Sequence, residues 1–192
     1  GQERAEFVPP ETGTSLSIPV SADQASGRIA LTGARIVTMA GEDGGVIENG
    51  TIVINGNRIE AIGPTAAMTM PAGIRTVDVA GATIVPGYID GHAHGSQGSD
   101  DIIPQTNWDM TAHLALGVTT YHDPSNTASE IFPASEMQRA GMILSPRLFS
   151  TGEIVYGARA PSRYALINSY DDALDHVRRL RMQGAHSIKN YN

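Results

Sequence analysis

Residues 92–94 read His-Ala-His, two positions after Asp90. On an extended backbone residues i and i+2 project to the same side, so the imidazoles of His92 and His94 can converge on one cation. Neutral imidazole offers a lone pair without first losing a proton, which suits zinc or a similar divalent ion. Asp90 shares that face and is placed to orient one of the two rings from behind. A polar loop following a strand accounts for the same residues without chemistry and is the rival reading.

Few other side chains offer chemistry. His122, beside Asp123 at the end of a β-branched run, either touches a substrate or hydrogen-bonds to its loop neighbours. His113 and His176 fall within helical patterns as packing or surface residues. His186 opens a fourth strand, at the end away from catalysis. Residues 152–169 are long for a strand-to-helix loop, where about two to six residues are usual. Tyr156, Arg159, Arg163 and Tyr164 make that stretch a lid over a substrate, an arginine gripping a carboxylate with two hydrogen bonds. A merely disordered loop is the equal alternative. Trp108 reads as a core residue. There is no phosphate-binding Gly-Lys-Ser/Thr loop, no Gly-x-Gly-x-x-Gly after a strand and no Gly-x-Ser-x-Gly elbow.

The elements that must position these groups follow from periodicity and turn chemistry. Residues 1–27 form a linker or extended arm, with Pro9, Pro10 and Pro19 among small polar residues. Short β-rich runs at 29–39, 51–54, 58–62 and 74–79, with Asn55-Gly56 as a hairpin turn, predict a small antiparallel β module over 28–83. Strand then alternates with helix. A strand over 83–90 precedes a helix over 106–116, begun by Thr106 and Asp109 as a capping box. A strand at 118–122 leads to a helix within 128–140 starting near Pro133 and stopping at Gly141. A strand at 146–151 follows. The helix at 170–183 is the most fully specified, with Tyr170, Ala173, Leu174, Val177 and Leu180 on one face. Ser169 caps it, acids sit at its positive end and arginines at its negative end, and Gly184 ends it. Residues 186–191 form the fourth strand. This order implies parallel strands with crossover helices. A complete eight-unit barrel takes about 250 residues, whereas the residues after 83 suffice for three to four units of about 30 each.

Composition narrows the classes. The 192 residues carry no cysteine, which removes disulfides, thiolate metal sites and cysteine nucleophiles together. A net charge of −7 argues against nucleic acid or an anionic membrane surface as partner. With 41% hydrophobic and 17% charged residues, a folded core is expected. No apolar run approaches the ~20 residues of a membrane span. The chain opens at Gly1 rather than Met, so removal of a leader or upstream segment is expected. It holds one lysine, Lys189, against twelve arginines.

Val85-Pro86-Gly87-Tyr88-Ile89-Asp90-Gly91-His92-Ala93-His94 resembles the first-strand signature of the amidohydrolase superfamily: Pro-Gly, two apolar residues, then Asp-x-His-x-His. Gly33-Ala34-Arg35-Ile36-Val37 and Asn55-Gly56-Asn57-Arg58-Ile59 look like that superfamily's flanking β-sandwich. The resemblance is strongest to the imidazolonepropionase-like branch. Gly117-Val118-Thr119-Thr120, His122-Asp123-Pro124-Ser125-Asn126, Ser150-Thr151-Gly152 and Lys189-Asn190-Tyr191-Asn192 are similar to amidohydrolases fused behind a TolB-type propeller.

The resemblance implies an α/β fold: a β-sandwich over 28–83, then over 84–192 the first half, about four strands, of a (β/α)8 TIM-type barrel. It implies one or two divalent metals, zinc foremost, that activate water to hydrolyse an amide-like C–N bond. His92 and His94 would be ligands, and Lys189, carboxylated, a bridging ligand between two metals. A solvated terminal lysine is the rival reading of Lys189. The chain ends before the two later histidines and the aspartate that complete such sites, so alone it is expected to be inactive. It is expected to need the remainder of the barrel or a second chain, and its exposed edge and apolar surface predict an oligomer. A non-catalytic half-barrel scaffold and a small α/β protein with a structural metal are the other readings. Propeller-fused relatives point towards export, to the periplasm or beyond.

Overall fold

The computed structural model describes residues 12–14, 19, 21, 24–156 and 164–191. The chain builds first a five-stranded sheet. β1 (Arg28–Val37) pairs antiparallel with β2 (Val46–Asn55), and β2 with β3 (Arg58–Pro64). Asn55 faces Arg58, so the tight turn is Gly56-Asn57, one residue later than expected, with positive φ at Gly56 alone. A positive φ at the first central position only suits glycine there.

The remaining two strands overturn an all-antiparallel module. β4 (Arg75–Asp78) and β5 (Thr83–Ile84) both run parallel to β1, β4 along its first half and β5 beyond Gly33. Residues 65–74, beginning with the 3-10 turn Thr65–Ala67, carry the chain back across the sheet, as a parallel pairing requires. The described residues here form one sheet rather than two stacked sheets. Its buried face holds Ala34, Ile36 and Ile52, flanked by Ile47, Ile54, Val79 and Ile84.

The expected strand over 83–90 is two strands. β5 stays on the first sheet, whereas β6 (Tyr88–Asp90) opens a second, and Val85-Pro86-Gly87 passes between them. Pro86 has no N–H for either ladder. β6, β7 (Val118–Asp123) and β8 (Arg147–Ser150) are parallel and in sequence order, joined by α1 (Trp108–Ala115) and α2 (Ala128–Arg139). The three strands form an open arc, not a closed barrel. Met110 of α1 and Ile131, Phe132 and Ala134 of α2 cover Tyr121 and Leu148 in one buried cluster.

Two helix starts differ from expectation. Asn107, not Thr106, caps α1, accepting from the N–H groups of Asp109 and Met110. α2 starts at Ala128, leaving Pro133 inside it. Its first free N–H groups are met from outside: Glu153 Oε1 accepts from Ala128, 3.1 Å away, and Asn126 Oδ1 from Thr127. Trp108, expected in the core, is 79% exposed, because α1 buries the face carrying Met110. α3 (Tyr170–Gln183) has the expected bounds, cap and buried Leu180, but Tyr170 is exposed.

The fourth strand is absent among the described residues. The long segment after β8 itself forms β9 (Ile154–Tyr156), which pairs with β10 (Tyr164–Leu166). β9 then captures the 186–191 backbone at one bridge, Val155 with Asn190, where Val155 N–H donates to Lys189 C=O at 2.9 Å.

Candidate metal centre

The end of β6 turns sharply because Asp90 Oδ1 accepts the backbone N–H of His92 at 3.1 Å. Ala93 N–H then donates to the His122 carbonyl at 3.0 Å, fastening the His-Ala-His loop to the end of β7. These bonds present His92 and His94 side by side and exposed, ring centroids 5.3 Å apart and planes at 75°.

Asp90 was expected to orient a histidine ring. Its carboxylate instead holds backbone, and the ring of His94 meets another acid: Nδ1 lies 3.0 Å from Asp123 Oδ1. The parallel register explains the substitution. Asp90 faces Tyr121, so Asp123 stands two residues further up, level with the loop that carries His94. Asp123 is fully buried, while the His94 side chain is 47% exposed. Asp123 Oδ1 also accepts from Ser125 N–H at 2.9 Å, and Oδ2 from Asn126 Nδ2 at 2.7 Å. Asn126 Nδ2 reaches the Gly95 carbonyl at 2.8 Å as well. Asp123, Ser125 and Asn126 escaped notice as site residues; the available signal was a carboxylate ending the strand beside the one that carries the histidines.

The other candidates gather elsewhere. His122 Nε2 lies 2.9 Å from Ser187 Oγ. The Lys189 ammonium sits 5.3 Å from the Tyr191 ring centroid, and Tyr156 meets that ring edge-on. Arg159 and Arg163 lie outside the described residues. The described side-chain contacts of Lys189 do not include the histidine pair.

Among the described residues no group of three or more His, Asp or Glu is arranged to hold a metal ion. The pair nonetheless suits one in kind. Two adjacent exposed imidazoles, one with its Nδ1 engaged behind it, supply two nitrogen donors of the four that zinc takes.

Beneath the loop, Tyr121 is fully buried and its hydroxyl has no hydrogen-bond partner among the described residues. Burial first, then the carboxylates of Asp123, Asp90 and Asp109, push this phenol far above its ordinary 10.0. The folded chain therefore keeps a proton that the unfolded chain loses, and this group lowers stability as pH rises past 10.0. Tyr121→Phe is expected to change stability at neutral pH by between zero and about +1 kcal/mol, since it removes only an unsatisfied hydroxyl. It should also flatten the alkaline fall. Urea unfolding on both sides of that pH checks this, and a clear loss of stability in the variant would refute it.

No known family profile matches the chain. It is 29% identical over 171 residues to imidazolonepropionase of Sphingopyxis alaskensis, covering 82% of this chain and 41% of that protein. The Bifidobacterium longum protein assigned as a prolidase superposes on 86% of this chain and 41% of its own, with TM-score 0.64 and 25% identity. The chain belongs to the amidohydrolase superfamily. A shorter match, 37% over 78 residues, is to adenine deaminase 2 of a Bradyrhizobium strain, covering 38% of this chain and 13% of that protein. The chain spans less than half the length of each of these relatives. Its fold is related to that of amidohydrolase-superfamily enzymes, whose members often use a divalent metal.

Proposed function

We propose that this chain is the amino-terminal portion of a metal-dependent hydrolase of C–N bonds in amide-like substrates, non-peptide or dipeptide. In this reading, residues 1–27 are an arm, 28–83 the flanking β domain and 84–192 a partial barrel. The observation that carries it is the paired His92 and His94 at the carboxyl end of a parallel strand, where catalytic groups of such barrels collect. The imidazolonepropionase, adenine deaminase and prolidase likenesses point to the same bond class.

His92 and His94 would hold zinc, as one ion or the first of two, with a carboxylated Lys189 as a further ligand. The cation would supply Lewis acidity, making water a nucleophile near neutral pH and polarising the scissile carbonyl. His122 would contact the substrate, and Tyr156, Arg159 and Arg163 would close over it, an arginine holding a carboxylate. The proton acceptor would come from the remainder of the barrel or from a second chain in an oligomer.

Chelation tests this in the whole protein. Hydrolysis of a panel of dipeptides and N-acyl amino acids should fall to background with a chelator and return with added zinc. Hydrolysis that survives exhaustive chelation would refute the reading, and a protein without any such activity would leave the scaffold role.

A further inference from the structure

We infer that Asp123 is a positioning residue that fixes which nitrogen His94 presents to a cation. This rests on the proposed metal role of the histidine pair and names the side chain that prepares it. A carboxylate at neutral pH only accepts hydrogen bonds, so the 3.0 Å contact requires the proton of His94 on Nδ1. The free lone pair then lies on Nε2, the ring nitrogen not engaged by Asp123, in a side chain that is half-exposed. A neutral imidazole in water prefers the opposite arrangement, with its proton on Nε2. The site must therefore reverse an intrinsic preference, and Asp123 is the group placed to do so.

Asp123 can impose this because it cannot turn. Both its oxygens are occupied from behind, Oδ1 by Ser125 N–H and Oδ2 by Asn126 Nδ2. Asn126, itself fully buried, is tied to the Gly95 carbonyl and to Thr127 N–H. Gly95 follows His94 directly, so the clamp closes back on the loop that it orients. The Ser125 hydroxyl, 3.4 Å from the same Nδ1, is the weaker partner by distance. His92 has no such support: among the described residues its ring contact is with His94. His94 is thus the prepared ligand of the two.

The test is a long-range proton–nitrogen NMR correlation of the histidine rings in the 15N-labelled chain, His94→Ala giving the assignment, at a pH where imidazole is neutral. Wild-type His94 should carry its proton on Nδ1. In Asp123→Ala no carboxylate faces that nitrogen, so the proton should move to Nε2 and zinc affinity should fall about 10–100-fold. Asn126→Ala leaves the carboxylate but frees it to rotate, and should give a smaller loss in the same direction. A wild-type His94 protonated on Nε2, or zinc affinity unchanged in Asp123→Ala, would overturn the inference. The Nδ1 form in a chain without zinc affinity would uphold the role of Asp123 and refute the metal reading.

Discussion

Zinc is expected to raise the melting temperature of the native protein and to leave that of a His92→Ala/His94→Ala variant unmoved. A ligand that binds only the folded state stabilises it by about 2.7 kcal/mol at a concentration 100 times its dissociation constant. The two imidazoles are adjacent and exposed, so the linkage should vanish with them. The single variants should not be equal. His92→Ala removes a ring held by no hydrogen bond among the described residues. His94→Ala also strips buried Asp123 of one of its partners, and should lower stability even without metal. Metal content after dialysis, read beside the melting curves, checks both points. Stoichiometric zinc retained by the double variant would place the metal elsewhere.

How much of this was legible depends on whether the determinants are local. α3 was readable to its last residue, since Ser169 and Gly184 lie at its own ends. The start of α2 was not. Its N-terminal amides are answered by Glu153, which lies 25 residues on and is itself held by Arg179 of α3. Pro133 looked like a first-turn residue because that partner is invisible in a local window. The mixed first sheet escaped for the same reason: nothing in Arg75–Asp78 or Thr83–Ile84 records that both lie along β1 in one direction. The candidate site divides likewise. His92 and His94 announce themselves by spacing, whereas Asp123 stands 29 residues from His94 and becomes its neighbour only when β6 and β7 align in parallel.

That alignment has a steric condition, and breaking it should be the costliest single change outside the core. A Cβ placed on Gly87 would lie 2.1 Å from Thr119 Oγ1, 2.4 Å from Cγ2 and 2.8 Å from Cβ. Thr119 cannot clear all three contacts by rotating, because the last involves its own Cβ. Gly87→Ala must therefore push β6 away from β7, straining the bond from Tyr88 N–H to the Gly117 carbonyl, 2.8 Å in the native chain. A cost near 3 kcal/mol is expected, at the upper end of what overpacking usually brings. Zinc affinity should fall with it, since β6 leads directly into His92. The decisive measurement is rescue, read from urea midpoints. Thr119→Gly removes every clashing atom at a cost of about 1 kcal/mol in strand propensity, and Gly87→Ala should then cost little more. Thr119→Ala keeps the Cβ and should rescue only in part. If Gly87→Ala costs the same on all three backgrounds, close approach to Thr119 is not why glycine stands at this junction between the sheets.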